Sequence, residues 1–166
     1  MNISALAEAE KLLFIARQSL SEGKLPQAID MLNKIVTDFP NFSKAHITLA
    51  DIYFNKLQDS TTGEEFYKKA IAIADMNTDA FTGYANLMLQ QEKYPEALSL
   101  LNKAMAIKGA PKDTIYMLLG KLYEMQSRVD DAMNNYKKCI TSTLSNSVLE
   151  EAELALKRCE VKKKYI

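Results

Sequence analysis

Apolar residues recur along most of this chain at every third or fourth position, which is the period of one face of a helix. In one such stretch they stand at Leu98, Leu101, Ala104 and Met105. No stretch shows the two-residue alternation that is typical of a half-buried strand. Glycine and proline are scarce and fall mainly between the periodic stretches, where they mark connecting turns. The pattern therefore predicts an all-α chain, with helices at about 4–21, 25–38, 42–56, 62–75, 78–90, 94–107, 113–126, 129–142 and 147–164.

The predicted helices repeat in pairs. A short segment recurs at the start of three of the second helices, as Pro26-Gln27-Ala28-Ile29, Pro95-Glu96-Ala97-Leu98 and Asp130-Asp131-Ala132-Met133. Ala28 and Ala97 are 69 residues apart, and Ala97 and Ala132 are 35 apart, so the period is 34 or 35 residues. The first helices carry a column of small residues with the same period, namely Ala16, Ala50, Ala85 and Gly120. Small side chains let two helices approach closely, so the sequence predicts a stack of helical hairpins.

This arrangement resembles the tetratricopeptide repeat (TPR), a helical hairpin of about 34 residues. In the second copy, the bulky residue, the large-small pair and the aromatic residue of that family stand at His46, Leu49-Ala50 and Tyr53. The resemblance covers four copies, at about 9–42, 43–77, 78–112 and 113–146. The chain departs from the family at His46, which replaces a large hydrophobic residue, and at Ser19, which replaces an aromatic one. The resemblance implies a right-handed α-α superhelical solenoid that forms a single domain over residues 1–166.

The segment 147–166 follows the fourth copy and is expected to be a C-terminal capping helix. Ser147 and Glu150 have the spacing of a capping box, which predicts that the helix begins there. One face of this helix is apolar, with Val148, Ala152, Ala155 and Cys159. Repeats bury their faces only against neighbours, so a helix with one polar face suits the end of the stack.

In proteins that this chain resembles, the first helices line a concave groove that binds a peptide or a partner helix. The implied groove residues here are Leu13, Arg17, Leu20, Ile47, Asp51, Phe54, Thr82, Asn86, Leu89, Met117, Lys121 and Glu124. Phe54 and Leu89 are expected to point into the groove rather than into the core, because their columns differ from the packing columns. Phe14 and Leu118 stand at the margins of this set. An apolar concave stripe on a protein usually marks a contact site.

One subfamily with this repeat clamps the terminal carboxylates of chaperone peptides with lysine, arginine and asparagine side chains. In one register, the matching positions here hold Leu13, Arg17, Thr48, Asp79 and Gly83. Shifted by one repeat, they hold Ile47, Asp51, Gly83, Thr114 and Leu118. Neither set supplies the cations that two carboxylates require. Binding of chaperone peptides through a carboxylate clamp is therefore disfavoured.

The charge balance limits the classes of partner. The 21 Lys and Arg residues equal the 21 Asp and Glu residues in number, so the chain lacks the basic surface that attracts nucleic acid. Charges such as Glu8, Lys11 and Arg17 interrupt the N-terminal segment, which predicts neither a signal peptide nor a membrane span. We therefore expect a cytoplasmic protein without membrane insertion. The run Lys162-Lys163-Lys164 suits a helix C-terminus, and attraction of an anionic lipid or an acidic partner is the alternative.

The chain offers few residues for catalysis. Its one histidine, His46, falls in a packing column, and a pH-sensitive or ligand-contacting role is the alternative. Cys139 shares a column with Ala70 and Ala104, and Cys159 lies on the apolar face of the last helix. Both are expected to be buried thiols, with a disulfide between them as the alternative. No zinc-site spacing, phosphate loop or nucleophile elbow occurs, so we expect no enzymatic activity, no cofactor and no metal.

The leading hypothesis is a non-enzymatic scaffold or adaptor. It would hold an apolar or amphipathic segment of a protein partner in the concave groove, within a larger assembly. Assemblies that contain this repeat include ciliary transport particles, cell-cycle ligase complexes, secretion chaperones and pilus or envelope complexes. The alternative is a structural module that self-associates through the groove or its exposed end faces, or the TPR part of a larger protein.

Overall fold

The computed structural model describes residues 3–165 and confirms the all-α prediction over that range. Its elements are α1 (Ile3–Ser21), α2 (Leu25–Asp38), α3 (Ser43–Asn55), α4 (Ser60–Ile73), α5 (Thr78–Gln90), α6 (Tyr94–Ala106), α7 (Lys112–Met125), α8 (Val129–Ser142), α9 (Asn146–Lys162) and the short 3-10 helix η1 (Lys163–Tyr165). Every predicted helix is present with both ends within two residues of the prediction. Among these helices, none is both long enough and apolar enough to cross a membrane.

The chain divides into two compact units, and the division lies within α5, between Gly83 and Tyr84. In the first unit, α1 packs against α2, α2 against α3, and α3 against α4. In the second unit, α6 packs against α7, α7 against α8, and α8 against α9. The assignment of residues 1–166 to a single domain stays a prediction.

Small residues bring the paired helices of each unit together. In the first unit, Ala16 and Ala50 are fully buried, and Gly63 of α4 lies so close to α3 that a Cβ atom there would stand 3.2 Å from the Cβ of Phe54. In the second unit, a Cβ atom at Gly120 would overlap the ring of Tyr136. Protein interiors are close-packed, so a larger side chain has no room at Gly120, and one at Gly63 would require α3 to shift by a few tenths of an ångström. The column of small residues is therefore a packing feature, as the sequence predicts.

The helix α9 closes the second unit. Ala152, Ala155 and Cys159 are buried on one face, next to Val129 and Tyr136. The expected capping box is wrong, because α9 begins one residue earlier, at Asn146. Ser145 is the N-cap residue and its side chain makes no capping bond to the backbone. Its hydroxyl lies instead 3.0 Å from the hydroxyl of Ser147, in the first turn of α9.

The turn inside each hairpin has the same backbone geometry. Gly23, Gln58, Glu92 and Ser127 stand 34 or 35 residues apart and all have positive φ angles, between 57° and 76°. In three of these turns the next residue donates its N–H to a carbonyl five residues back, as from Arg128 to Tyr123 at 2.8 Å. This is the bond of a Schellman helix end, which requires a left-handed residue. Only the first turn has glycine there, so the other three hold a residue in a disfavoured conformation.

Replacing Ser127 with glycine should raise the free energy of unfolding by up to about 1 kcal/mol. The left-handed conformation costs a non-glycine residue roughly 1–2 kcal/mol, and the greater freedom of glycine in the unfolded chain offsets part of the gain. Urea unfolding followed by circular dichroism measures the change. The reciprocal variant Gly23→Ser should lose a similar amount, because a Cβ atom at Gly23 meets no atom of residues 3–165 within 4 Å and so adds no clash to the backbone strain. If both variants unfold at the wild-type urea concentration, the turns do not carry this strain.

His46 is confirmed as a buried packing residue. Its side chain is 7% exposed, its Nε2 lies 3.0 Å from the Pro40 carbonyl, and its ring lies 6.0 Å from that of Phe66. The Nδ1 atom is buried and has no hydrogen-bond partner among residues 3–165. Burial lowers the pKa of His46, and the positive charge of Lys69 adds to the effect against the opposing bond to Pro40. The folded protein therefore favours the neutral form of the His46 imidazole.

A pKa lowered by folding makes the protein less stable in acid. The unfolded chain takes up a proton on His46 near pH 6.5, whereas the folded chain resists it, so stability declines as the pH falls below about 6.5. The variant His46→Phe, which copies Phe81 of the third repeat, should lose this part of the pH dependence. Melting temperatures at pH 7.5, 6.5 and 5.5 measure it. The control Tyr53→Phe keeps the ring that stacks on Phe66 and should retain the wild-type dependence. Equal pH dependence in all three proteins would contradict the assignment.

Candidate partner-binding site

The predicted groove residues differ in how far they are exposed to solvent. Arg17, Asp51 and Lys121 are exposed. Leu20, Asn86 and Met117 are half-buried. The remaining six are buried, namely Leu13, Ile47, Phe54, Thr82, Leu89 and Glu124. A partner-binding role for the set stays a prediction, but only half of it is open to a partner.

The expectation that Phe54 and Leu89 point away from the core is wrong. Phe54 is 3% exposed and Leu89 is fully buried. Phe54 lies where α3 crosses α4, against the backbone that Gly63 brings close. Neighbouring positions on a helix differ by only about 100° in direction, so a broad apolar face buries Phe54 together with its packing neighbours. An aspartate at either position would place an unpaired charge inside the protein.

A pocket opens in the first unit between α1 and α3. Its volume is about 260 Å³, and it is lined by Arg17, Leu20, Thr48, Asp51, Ile52, Asn55 and Lys56. We call it the α1–α3 pocket. Leu20 is half-buried and supplies apolar surface, and Ile52 lines the pocket but is only 3% exposed. Arg17, Asp51 and Lys56 are exposed and charged. The pocket therefore combines an apolar contact with charges of both signs.

Asp51 joins this pocket to the second helix of its hairpin. Its carboxylate accepts a hydrogen bond from the hydroxyl of Tyr67, which lies on α4. Asp51 is reached by water, but protein surrounds it on most sides, and this burial raises the pKa of its carboxyl group. The negative charge of Asp79 adds to the rise, while the Tyr67 bond and the positive charge of Arg17 oppose it. The positive charge of Arg17 balances the Asp51 carboxylate only in part. A positively charged group of a partner would therefore be attracted to Asp51.

Tyr67 holds Asp51 in place from inside the core. The tyrosine is 1% exposed, and burial raises the pKa of its hydroxyl, with the Asp51 carboxylate adding to the rise. Its ring fits only because Gly83 lacks a side chain, since a Cβ atom there would stand 2.6 Å from the Tyr67 Cε1. The position of Asp51 in the pocket therefore depends on the absence of a side chain on α5.

In the second unit, side chains of the same chain already bind the carboxylate of Glu124. Its Oε1 accepts bonds from Arg158 at 2.6 Å and Lys162 at 2.7 Å, and its Oε2 accepts bonds from Arg158 at 2.6 Å and from Tyr136 at 2.8 Å. Arg158 and Lys162 lie on α9, so these bonds fasten the last helix to α7. The bond from Arg158 lowers the pKa of Glu124 to about 2, helped by those from Lys162 and Tyr136 and opposed by burial. The prediction that Glu124 is available in a groove is therefore wrong.

The comparison of repeat columns missed several residues of these two clusters. Ile52, Asn55 and Lys56 line the α1–α3 pocket but stand beside the columns that define the repeat. Tyr67 and Tyr136 stand in a column of the second helices that holds Leu32 and Leu101 in the other two copies. A buried tyrosine usually has a polar partner for its hydroxyl, so the tyrosines in that column were the available signal.

The cysteines are unreactive packing residues. Both are free and buried, so the disulfide alternative is wrong for this structure. Burial raises the pKa of the Cys139 thiol to about 11 and also raises that of Cys159. A nucleophilic cysteine requires the thiolate form, which these environments disfavour. Within residues 3–165 no cluster of His, Cys, Asp and Glu is arranged to hold a metal ion.

The variant Glu124→Gln should destabilise the second unit by about 1–3 kcal/mol at pH 7, because charge-assisted bonds to Arg158 and Lys162 are lost. A pKa lowered by folding stabilises the protein fully above about pH 4.5, and this stabilisation disappears as the pH falls toward 2. The difference from wild type should therefore shrink over that range. Urea unfolding at pH 7, 4.5 and 3 measures it.

The matched control is Asp130→Asn, which removes the bond from Lys163 to a carboxylate on α8. The Asp130 side chain is 78% exposed, so this loss should cost less than about 0.5 kcal/mol at any pH. Equal effects of the two variants would contradict a special role of Glu124.

Comparisons with known proteins agree with the repeat pattern. A family model described as "Tetratricopeptide repeat protein 21 ARM repeat" matches residues 4–70. The type IV pilus assembly protein PilF of Pseudomonas aeruginosa is 28% identical over 105 residues, which is 63% of this chain and 39% of PilF. The chain thus spans well under half the length of this relative.

Three solved structures share the fold. The P. aeruginosa PilF structure has a TM-score of 0.86 at 20% identity, covering 98% of this chain and 72% of that one. PilW, a type IV pilus biogenesis factor, has 0.80 at 15% identity over 94% and 71%. TTC0263, a TPR protein of Thermus thermophilus, has 0.75 at 18% identity over 89% and 81%. With the helix order and the period of 34 or 35 residues, these matches identify the chain as a protein of the tetratricopeptide-repeat fold, an all-α helical repeat solenoid.

Proposed function

We propose that this chain is a protein-interaction module without enzymatic activity, which holds a segment of a partner protein in the α1–α3 pocket. The observation that carries the proposal is the composition of that pocket. Leu20 is half-buried and offers apolar surface beside the charged side chains of Arg17, Asp51 and Lys56, while Ile52 lines the pocket at 3% exposure. This combination suits an amphipathic peptide segment, whose apolar side chain fills the pocket while neighbouring polar groups bind its edge.

The size of the pocket favours a peptide over a small metabolite. Sites for small molecules usually enclose about 300–1,000 Å³ and bury most of the ligand. The α1–α3 pocket, with about 260 Å³, lies below that range and is open to solvent on one side. It is large enough for one bulky side chain of a partner.

The charges in the first unit disfavour a carboxylate clamp. Two of the positions that would need cations hold Leu13, which is buried, and Asp79. The carboxylate of Asp51 lines the pocket, so its negative charge would repel another carboxylate there. The proposed partner segment therefore places a cationic or neutral polar group next to Asp51 and an anionic group next to Arg17 or Lys56.

The cellular setting of the proposal rests on the names of similar proteins. PilF and PilW are a pilus assembly protein and a pilus biogenesis factor by name, and other proteins of this fold serve as interaction scaffolds. We extend the proposal to a role in a multiprotein assembly, for which a pilus or envelope complex is the first candidate. The cytoplasmic location stays a prediction beside it.

The proposal is tested with peptides selected from a random 12-residue display library on the immobilised full chain. Binding of the selected synthetic peptides is then measured by fluorescence anisotropy for wild type and Asn55→Trp. Asn55 is exposed, so a tryptophan there should fill the pocket without unfolding the protein, within about 0.5 kcal/mol. We expect at least about tenfold weaker binding, since a blocked central pocket removes the main anchor.

The control variant is Asn33→Trp, which makes the same replacement at an exposed position of α2 outside the pocket. It should bind the peptides as wild type does. Equal binding by Asn55→Trp and wild type would place the partner on another surface. Recovery of no specific peptide from the library would argue against a peptide-binding role of this pocket.

A further inference from the structure

Two carboxylates of this chain are each held by a buried tyrosine on the following helix. In the second unit, Tyr136 of α8 donates its hydroxyl to Glu124 of α7 at 2.8 Å, and in the first unit Tyr67 of α4 donates its hydroxyl to Asp51 of α3. Both tyrosines are 1% exposed. They stand 69 residues apart, which is two repeat periods, so one column supplies both bonds. The two pairs differ in what else binds the carboxylate.

Glu124 shows which group completes such a site. The guanidinium of Arg158 binds both of its carboxylate oxygens at 2.6 Å. One of these oxygens, Oε2, accepts the bond from Tyr136 at the same time, so the tyrosine leaves room for an arginine. The planar fork of a guanidinium matches the two oxygens of a carboxylate, whereas a lysine ammonium has no such fork. A carboxylate that a tyrosine holds is therefore suited to bind an arginine.

Asp51 has the tyrosine but lacks the arginine. Among residues 3–165 it forms no ion pair, although it lines the α1–α3 pocket and is reached by water. Burial is the main cause of its raised pKa, and the negative charge of Asp79 acts on it more strongly than the positive charge of Arg17. Lys56, the other cation of the pocket, stands five residues later, about 7.5 Å along the helix axis. The charges around Asp51 therefore favour an added positive group.

The rest of the pocket fits the aliphatic stem of an arginine side chain. Arginine packs its methylene groups on apolar surface and keeps its guanidinium at the polar edge. Leu20 supplies half-buried apolar surface in the pocket, and Ile52 lies behind it. Asn55 is exposed one helical turn after Asp51, so its side-chain oxygen is placed to accept a further N–H of the guanidinium.

We propose that the partner segment binds the α1–α3 pocket through an arginine, whose guanidinium forms two bonds to the Asp51 carboxylate and whose stem packs on Leu20. This inference rests on the proposed function and names the anchor residue of the partner. It makes Tyr67 a positioning residue, because its hydroxyl fixes the direction of the Asp51 carboxylate. Arg17 and Lys56 then bind an acidic residue of the same segment, so the segment carries charges of both signs.

The test is a double-mutant cycle on the peptides that the display library yields, measured by fluorescence anisotropy with the full chain. The peptide arginine is replaced with citrulline, which keeps the shape of the side chain and removes its charge. In the protein, Asp51→Asn removes the charge but keeps an amide oxygen that accepts the bond from Tyr67. We expect the selected peptides to share an arginine, and each change alone to weaken binding at least about tenfold. The two changes together should weaken binding little more than one, because both remove the same ion pair.

Tyr67→Phe tests the positioning role. It keeps the ring and removes the hydroxyl, so it should weaken binding of the arginine peptide but leave binding of the citrulline peptide unchanged. A general loss of stability would weaken both peptides alike. Replacing the peptide arginine with lysine should weaken binding to wild type at least about threefold, because the ammonium lacks the guanidinium fork.

Asp38→Asn is the matched control, because Asp38 is exposed at the end of α2 and lies outside the pocket. It should bind the peptides as wild type does. Circular dichroism checks that each variant is folded. If Asp51→Asn does not fold, the citrulline and lysine peptides decide the matter on wild type alone.

The proposal is overturned if the selected peptides lack an arginine, or if the citrulline or lysine peptide binds wild type as the arginine peptide does. It is also overturned if the effects of citrulline and Asp51→Asn multiply in full, since the arginine then binds elsewhere. In each of these outcomes the proposed function stands as long as Asn55→Trp weakens binding. Recovery of no specific peptide overturns both.

Discussion

The close approach of paired helices is the constraint on which this structure depends. Ala16, Ala50 and Gly120 leave space at one repeated position, and the facing helix fills it. No hairpin has enough apolar surface to be stable alone, so each one must bury its sides against the next. The same closeness fixes the directions of the neighbouring side chains, including those that reach the surface at Arg17 and Asp51.

Two buried tyrosines also stabilise the pairs of helices, because each one hydrogen-bonds a carboxylate on the neighbouring helix. The hydroxyl of Tyr67 binds Asp51, and that of Tyr136 binds Glu124. A phenol inside a protein needs a hydrogen-bond partner, and a carboxylate on the adjacent helix supplies it. The outcome differs between the two because Asp51 faces a pocket, whereas Glu124 is covered by cations of α9.

The sequence predicts the helices and the small-residue column because both repeat, and an agreement among four copies averages out local exceptions. The prediction from the sequence fails at features that occur in only one repeat. Phe54 was placed in the groove because repeat phase cannot separate neighbouring directions on a broad apolar face. The bonds of Glu124 to Arg158 and Lys162 span 34 and 38 residues and reach a helix outside the repeat, so no column contains them. The helix start at Asn146 likewise depended on a local choice between two serines.

The ion pairs that attach α9 make this helix more sensitive to salt than the rest of the second unit. The helices α7 and α8 are joined mainly by apolar contacts around Tyr136, besides the bond from its hydroxyl to Glu124, and screening by salt affects apolar contacts little. The α9 helix instead buries mainly small residues and relies on a carboxylate bound to Arg158 and Lys162, both about half exposed. Mobile ions screen such partly exposed charges, so rising ionic strength loosens this helix first. At high ionic strength we therefore expect local opening of the second unit to start at its C-terminal helix.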